Sequence, residues 1–376
     1  MSQTESLPFS RRDHESESAV HATTVAIDLA KDVFELAFAD AEHHIVERKR
    51  LTRRAFAHVL DNRRPLRVVR EACGRAHYWA RRFARQGHTV CLLPARDVRP
   101  YVRRNKTDRT DVAGIPEADR CAQIDPVPIK SPDQQGIQAL HRIRERLKAQ
   151  HTSTIDLLRG VLREFGLVIP LGASKVRPAV LAFLEDGDND LPMALRHTLS
   201  ELLDRLASLH ADRTAIEQRL ETFAQSDPTS QRYQSVPGIG VLTATALRAS
   251  VGSLDRFRSG RHFAAWLGLT PREHSSGSQR HLGAISKRGD GYLRVLLIHG
   301  ARTRLHAAQM RQRKDQPLNR LQIWALALQA RQGHNKAAVA FANKIARRVW
   351  AMEHHHVAFD SDHCSTRPCR DSDIVS

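Results

Sequence analysis

The chain has 376 residues, more than one ordinary hydrophobic core accommodates, so about two to three domains are expected. Hydrophobic residues make up 41% of it, enough for a folded protein, and no run of about 18 apolar residues offers a membrane span. Lys and Arg total 59 against 41 Asp and Glu, a net charge of +18 that points to a polyanionic partner, most simply nucleic acid. The segment from Met1 to Ser18 is polar and lacks the apolar stretch of a secretory signal. Five scattered cysteines (Cys73, Cys91, Cys121, Cys364 and Cys369) suit a reduced, cytoplasmic protein.

Residues 1–20 read as a disordered tail. Order begins at Thr24-Val25-Ala26-Ile27-Asp28, a short apolar strand ending in a carboxylate. Val33–Phe38 reads as a second strand and His44–Arg48 as a third, with Lys31-Asp32 at the turn between the first two. Helical character over Ala55–Leu60 precedes a strand over Leu66–Arg70 that runs into Glu71. A helix over Ala76–Gln86 ends at Gly87, and Thr89–Leu93 is a strand stopped by Pro94. Strands first, then strands alternating with helices, predict an α/β domain with a mixed sheet over residues 21–130.

Two carboxylates, Asp28 and Glu71, fall at strand ends, where catalytic groups of α/β sheets gather. Two more, Asp108 and Asp111, are three residues apart and share one face if that stretch is helical. Four converging carboxylates repel one another unless divalent cations lie among them, and Mg²⁺ favours hard oxygen ligands of this kind. Each acid alone is as well read as a solvated surface group or a helix cap; the set points to metal-dependent phosphodiester chemistry.

From Gln135 the pattern changes to long helices. Ile137, Leu140, Ile143 and Leu147 mark an apolar face that Ile155, Leu158, Val161, Leu162 and Phe165 continue. Leu195, Leu199, Leu202, Leu206, Leu209, Ile216 and Leu220 recur at spacings of four and three, broken by Arg213, which predicts a coiled coil, a helical hairpin or an ordinary bundle helix. This makes residues 131–225 a helical arm. Ser226-Asp227-Pro228 marks the next boundary, opening a mainly helical C-terminal domain over 226–353. Residues 354–376 read as a second disordered tail; His363, Cys364 and Cys369 in it fit no standard metal spacing.

Within the C-terminal domain, Ser235-Val236-Pro237-Gly238-Ile239-Gly240 is a Pro-Gly-x-Gly turn opening a helix. Its exposed amides suit a phosphate, as in helix-hairpin-helix modules, though a tight turn between packed helices reads as well. Further on, Arg272-Glu273-His274-Ser275-Ser276-Gly277-Ser278 leads to Ser286-Lys287-Arg288-Gly289-Asp290-Gly291-Tyr292-Leu293-Arg294. Glycines there allow close backbone approach, and Lys287, Arg288 and Arg294 supply charge against phosphates. Composition alone also fits a flexible linker; its place between apolar helices favours a site.

Taken together, these segments resemble the transposases of the insertion-sequence one-ten family, especially its one-one-one-one branch, which are related to the Piv-type DNA invertases. The carrying motifs are Val25-Ala26-Ile27-Asp28, Arg70-Glu71-Ala72, Asn105-Lys106-Thr107-Asp108 with Asp111, Ser235-Val236-Pro237-Gly238-Ile239-Gly240, Gly268-Leu269-Thr270-Pro271-Arg272, and Ser276-Gly277 before Ser286-Lys287-Arg288-Gly289. They span about residues 22–350. The resemblance implies a RuvC-like, ribonuclease-H-type domain with a DEDD metal site at Asp28, Glu71, Asp108 and Asp111, loaded with Mg²⁺ or Mn²⁺. It also implies a transposase domain whose nucleophilic serine falls on Ser276, with Ser275 and Ser278 as chemically equal neighbours. The same resemblance implies a homo-oligomer, dimer or tetramer, in which the metal site of one subunit is completed by the serine of another. It further implies donor and target DNA as substrates and a structured noncoding guide RNA, the bridge RNA, as partner. Lys106, Gly238, Gly240, Lys287, Arg288 and Arg294 are the expected nucleic-acid contacts. Val112 stands where many relatives carry alanine, and Pro116 is expected to end or kink the helix after Asp111. The rival readings are a RuvC-like nuclease or junction resolvase using water, and a non-catalytic nucleic-acid-binding protein.

Overall fold

The structure, a computed structural model, describes residues 22–29, 33–101, 108–277 and 279–360; of Leu29, residues 108–111 and Ala113 it describes the backbone only. The Lys31-Asp32 turn, Lys106, Ser278, both tails' outer residues and the His363, Cys364, Cys369 set lie outside the described residues. The chain divides into two compact units, within residues 1–131 and 132–376.

The first unit is built on a five-stranded sheet of order β3-β2-β1-β4-β5. The strands are β1 (Thr24–Leu29), β2 (Val33–Ala39), β3 (Ile45–Thr52), β4 (Arg67–Glu71) and β5 (Thr89–Leu93). β2 runs antiparallel to β1 and β3, while β4 runs parallel to β1 and β5 parallel to β4. This is the mixed sheet that the sequence predicts. Short helices follow the strands: α1 (Arg53–Phe56), α2 (Ala76–Arg85) and α3 (Ala95–Val98), then α4 (Asp108–Asp119). Gly87, at φ +90°, lets the chain leave α2 as expected.

Strand alternation gives each face of the sheet its own core. Val25, Ile27, Phe34, Leu36, Phe38 and Val68 pack with Phe56, Leu60, Trp79 and Phe83 from the α1–α2 side. Phe34 stacks on Phe56 at 4.3 Å, and Trp79 meets Phe56 edge-on at 4.6 Å. Each such buried aromatic contributes about 1.5–3 kcal/mol. On the opposite face Ala26, Ala37, Val69, Cys91 and Leu93 meet Val98 of α3 and Val112, Ile115 and Ala118 of α4. Alanines here let α4 lie close against the sheet.

Pro116 does not end α4. The helix continues to Asp119, and the Pro116 carbonyl accepts the Arg120 amide at 3.3 Å. The proline forfeits one amide donor, but Ile115 and Ala118 on either side of it are 1% and 0% exposed, and their burial against the sheet outweighs that local loss.

The second unit opens with two long helices, α5 (Pro132–Glu164) and α7 (Met193–Ser226), with the short α6 (Val176–Glu185) between them. The heptad seam is the inside of an intrachain hairpin: Leu199, Leu203 and Leu206 bury against Ile155, Leu158 and Leu162. Two positions depart from the expected stripes. Ile143 is 49% exposed while His141 is 3% exposed, because Ile143 stands about 200° further round α5 than His141. Leu203, rather than Leu202, is the fully buried member of its turn.

Asp227 caps α8 (Pro228–Gln234), its carboxylate accepting the Ser230 amide at 2.9 Å. α9 (Val241–Val251), α10 (Gly260–Trp266), α11 (Gly291–Arg313), α12 (Arg320–Gln332) and α13 (His334–His354) complete the unit around one apolar core that includes Phe263, Leu267, Leu297 and Phe341. The arm and the C-terminal helices, read from sequence as separate segments, share a core at Ile137, Ile216, Leu220 and Ala249 and fall within one unit. Packing also continues past residue 353: the His354 ring stacks on Trp350 at 4.5 Å, and Phe359 packs against the core. Between α10 and α11 the stretch read as a glycine-rich loop is a two-stranded antiparallel hairpin, β6 (Pro271–Glu273) with β7 (Leu282–Ile285). Among the described residues no helix is long and apolar enough to cross a membrane.

Candidate active site

Register brings the first two acids together. Ile27 pairs with Arg70 across the parallel β1–β4 ladder, so the next residues, Asp28 and Glu71, are neighbours at the strand ends. Alternation puts both on the face that carries Ala26 and Val69, which α4 covers. Asp108 and Asp111 lie one turn apart at the start of α4. All four expected ligand positions therefore belong to one side of one sheet, and both Asp28 and Glu71 are half-buried.

A further carboxylate, Glu35, went unread in the sequence. It stands directly opposite Asp28 in the antiparallel β1–β2 pair, and Arg50 from β3 holds it at 3.2 Å. Its signal was a single charged residue inside the apolar run Val33-Phe34-Glu35-Leu36-Ala37. Among the described residues no three His, Cys, Asp or Glu side chains converge on one point. A divalent cation at this edge would therefore draw its remaining ligands from side chains outside that described set. The donor chemistry fits: hard carboxylate oxygens of like charge at adjacent positions, which a cation reconciles.

Beneath the acids sits Arg70, fully buried. Its Nη2 donates to Cys73 Sγ at 3.7 Å, while Nε and Nη1 have no hydrogen-bond partner among the described residues. Burial pushes its guanidinium down to about 10, opposed by the nearby Cys73 and Asp28. It thus places positive charge within electrostatic reach of Asp28.

The serine lies in the second unit, at the end of the β6–β7 hairpin. Ser276 and Gln279 exchange backbone hydrogen bonds at 3.2–3.3 Å across a turn that Gly277 enters at φ +58°. Ser276 is exposed. Ser275 is engaged differently: its hydroxyl donates to Glu273 Oε1 at 2.8 Å and accepts the His281 amide at 3.2 Å. Arg280 donates to the same Glu273 oxygen at 3.2 Å. Ser275 and Arg280 together hold the Glu273 carboxyl below its usual range. The hairpin end is thereby braced while Ser276 stands in solvent.

The hairpin's root is a close backbone crossing. A Cβ on Gly268 would lie 2.2 Å from the Arg288 carbonyl oxygen, and one on Gly289 would lie 1.8 Å from that of Trp266; both glycines have positive φ. Arg294 Nη1 donates to the carbonyls of Leu267 and Arg288 at 3.1 and 3.0 Å and so ties this crossing together. Lys287 and Arg288 are exposed. In the Pro-Gly-x-Gly turn, Gly238 packs against α11: a Cβ on Gly300 would fall 1.8 Å from the Gly238 carbonyl oxygen. Gly240 is the exposed N-cap of α9. Of the two glycines, Gly238 serves helix packing and Gly240 faces solvent.

Two family models match this chain in succession. One, a DEDD transposase model of the IS110 type, covers residues 25–166; the other, described as Transposase IS116/IS110/IS902 family, covers residues 230–316. The chain belongs to this family of insertion-sequence transposases, which makes it a DNA-cleaving, strand-transferring enzyme. A probable family 20 transposase of Pseudomonas aeruginosa is 41% identical over 337 residues, covering 89% of this chain and 97% of the relative. The transposase for insertion sequence element IS1111A of Coxiella burnetii is 37% identical, covering 87% and 88%. The transposase for insertion sequence element IS1328 of Yersinia enterocolitica is 33% identical, covering 88% and 97%.

Proposed function

We propose that this transposase is a RuvC-like DEDD enzyme that recombines DNA through a covalent phosphoserine. Asp28, Glu71, Asp108 and Asp111 would hold Mg²⁺ or Mn²⁺, which supplies charge neutralisation at the scissile phosphate. The strand order of the first unit and the placement of all four positions on one sheet side support that assignment. Ser276 Oγ attacks phosphorus: an Oγ–P bond forms, a P–O bond to deoxyribose breaks, and the departing DNA hydroxyl takes up the serine proton. The reverse step, with a different DNA hydroxyl as attacker, rejoins strands without any external nucleotide because the phosphoester is conserved. The observation that carries the serine is its place at the solvent-facing end of a braced hairpin, beside a neighbour, Ser275, whose hydroxyl is already committed.

In this reading Lys106, Gly240, Lys287 and Arg288 meet phosphates, Gly238 and Arg294 shape the elements that present them, and a noncoding bridge RNA directs the protein to its donor and target sites. Subunits assemble so that acids and serine come from different copies. Wild-type protein incubated with nicked suicide DNA should give a denaturant-resistant adduct that maps to Ser276, and Ser276→Ala should bind DNA yet give none. Recombination by Ser276→Ala without an adduct would replace this mechanism with water-driven cleavage by the four acids.

A further inference from the structure

The second unit contains a cavity of about 350 Å³ that the transposition chemistry leaves unused. Gln138, His141 and Glu145 of α5, Ser250 of α9, and Asp290 and Tyr292 at the start of α11 line it, with the small Ala246 and Ala249 leaving the space and the exposed Arg142 contributing a cation.

One wall is fixed by a directed hydrogen-bond chain. Thr245 Oγ1 lies 2.7 Å from the Val241 carbonyl, to which only the hydroxyl can donate. Thr245 therefore accepts from His141 Nε2 at 3.0 Å, and His141 Nδ1 accepts the Tyr292 hydroxyl proton at 2.9 Å. Burial keeps the His141 ring neutral, with its value pushed down to about 4, as this tautomer requires. The Tyr292 ring is thus a rigid aromatic side of the cavity with its polar end turned into the protein.

The lining selects by charge. Glu145, paired with Arg144 at 2.7 Å, and Asp290, whose Oδ1 accepts the Tyr292 and Leu293 amides, still offer carboxylate oxygens to an amino group, and the Gln138 amide supplies both donor and acceptor. Lys287 and Arg288, exposed and two to three residues before Asp290, add to the cation that Arg142 supplies. We propose that the cavity receives one unpaired nucleobase, amino-bearing bases being preferred, while Lys287 and Arg288 meet its flanking phosphates. The proposal rests on the nucleic-acid role of that loop but not on the phosphoserine step, so the Ser276 adduct test and the present one fail independently.

The test is fluorescence anisotropy of the full chain with labelled single-stranded heptamers of DNA and RNA: adenine, cytosine, thymine or uracil, and one abasic at its centre. Adenine and cytosine strands should bind about tenfold more tightly than thymine or uracil strands. Ser250→Phe, which fills the cavity, should erase that preference and leave the abasic strand's affinity unchanged. Glu145→Gln, a milder change at a half-buried position, should also narrow the preference and guards against a folding defect in the first variant. The strand type that carries the Ser250-dependent preference identifies the source as DNA or RNA. Equal binding of all bases by wild type, or a preference that survives both variants, overturns the proposal.

Discussion

Asp28 and Glu35 stand directly opposite each other across the antiparallel β1–β2 pair, two carboxylates where a sheet ordinarily pairs unlike groups. Arg50 offsets the charge of the second at 3.2 Å. Arg50→Ala should leave the repulsion uncompensated and lower stability by about 0.5–1 kcal/mol in chelator. Mn²⁺ should restore more of the melting temperature to this variant than it adds to wild type. A loss that Mn²⁺ does not reduce would mean that no cation binds at this edge.

Arg70 makes the complementary prediction. Its buried guanidinium competes with any cation for the field of Asp28. Arg70→Met keeps the volume and removes the charge, so Mn²⁺ should bind more tightly in an isothermal or electron-spin titration. Weaker binding would show that Arg70 supports the acids by position rather than opposing a metal.

Ser275 and Ser276 should separate cleanly. Ser275→Ala loses the bond to Glu273 and loosens the hairpin, at a cost of about 1 kcal/mol, so adduct yield should fall only a few-fold. Ser276→Ala should abolish it. Equal losses in both variants would place the essential group in the brace rather than at Ser276.

The contact between Gly238 and Gly300 predicts a stability effect without a binding effect. Gly300→Ala must push α11 from the turn and should destabilise by about 1–3 kcal/mol, read as a lower melting temperature. The slope of log affinity against log salt for DNA should not move, whereas Arg288→Ala should reduce it by about 1. A salt slope that changes in Gly300→Ala would return Gly238 to the phosphate contacts.

Acid should weaken the second unit through His141. Its folded value, about 4, lies below the unfolded one of about 6.5, so the unfolded chain binds the proton first. Above about pH 6.5 both states are neutral and nothing is lost. As pH falls from there toward 4, up to about 3 kcal/mol of stability disappears. His77, pushed down to about 4 by burial and accepting the Lys130 amide, titrates in the same direction in the first unit. Denaturant melts of His141→Gln should show a shallower pH dependence over this window than wild type; parallel curves would remove His141 from the account.

Much of the first unit was legible because alternation and periodicity report burial directly. Val25 and Ile27, or Val68 and Val69, announce strands, and Asp28 and Glu71 are visible as charges at their ends. Glu35 was not, because a sequence shows that a strand contains a carboxylate but not which neighbour it faces; that is fixed only by register. The seam from Leu195 to Leu220 predicted a helix correctly and left its partner open. Tertiary structure supplies α5, so Leu199→Asp should unfold the arm, not merely dissociate subunits. The β6–β7 hairpin escaped because its strands are short, polar and exposed, held by a turn and a backbone crossing rather than by hydrophobic pattern. Pro116, expected to end or kink α4, does not end it, because burial on both sides of it outweighs local propensity.

The glycine crossing at residues 268 and 289 has a consequence for how the family can vary. Everything between those two points leaves the helical core and returns to it through a single pinned gate, so the entropy of closing that excursion is met at its base and is nearly independent of what lies beyond. Strands, turn and the side chains they carry can then lengthen, shorten or be exchanged as a cassette while α10 and α11 keep their packing.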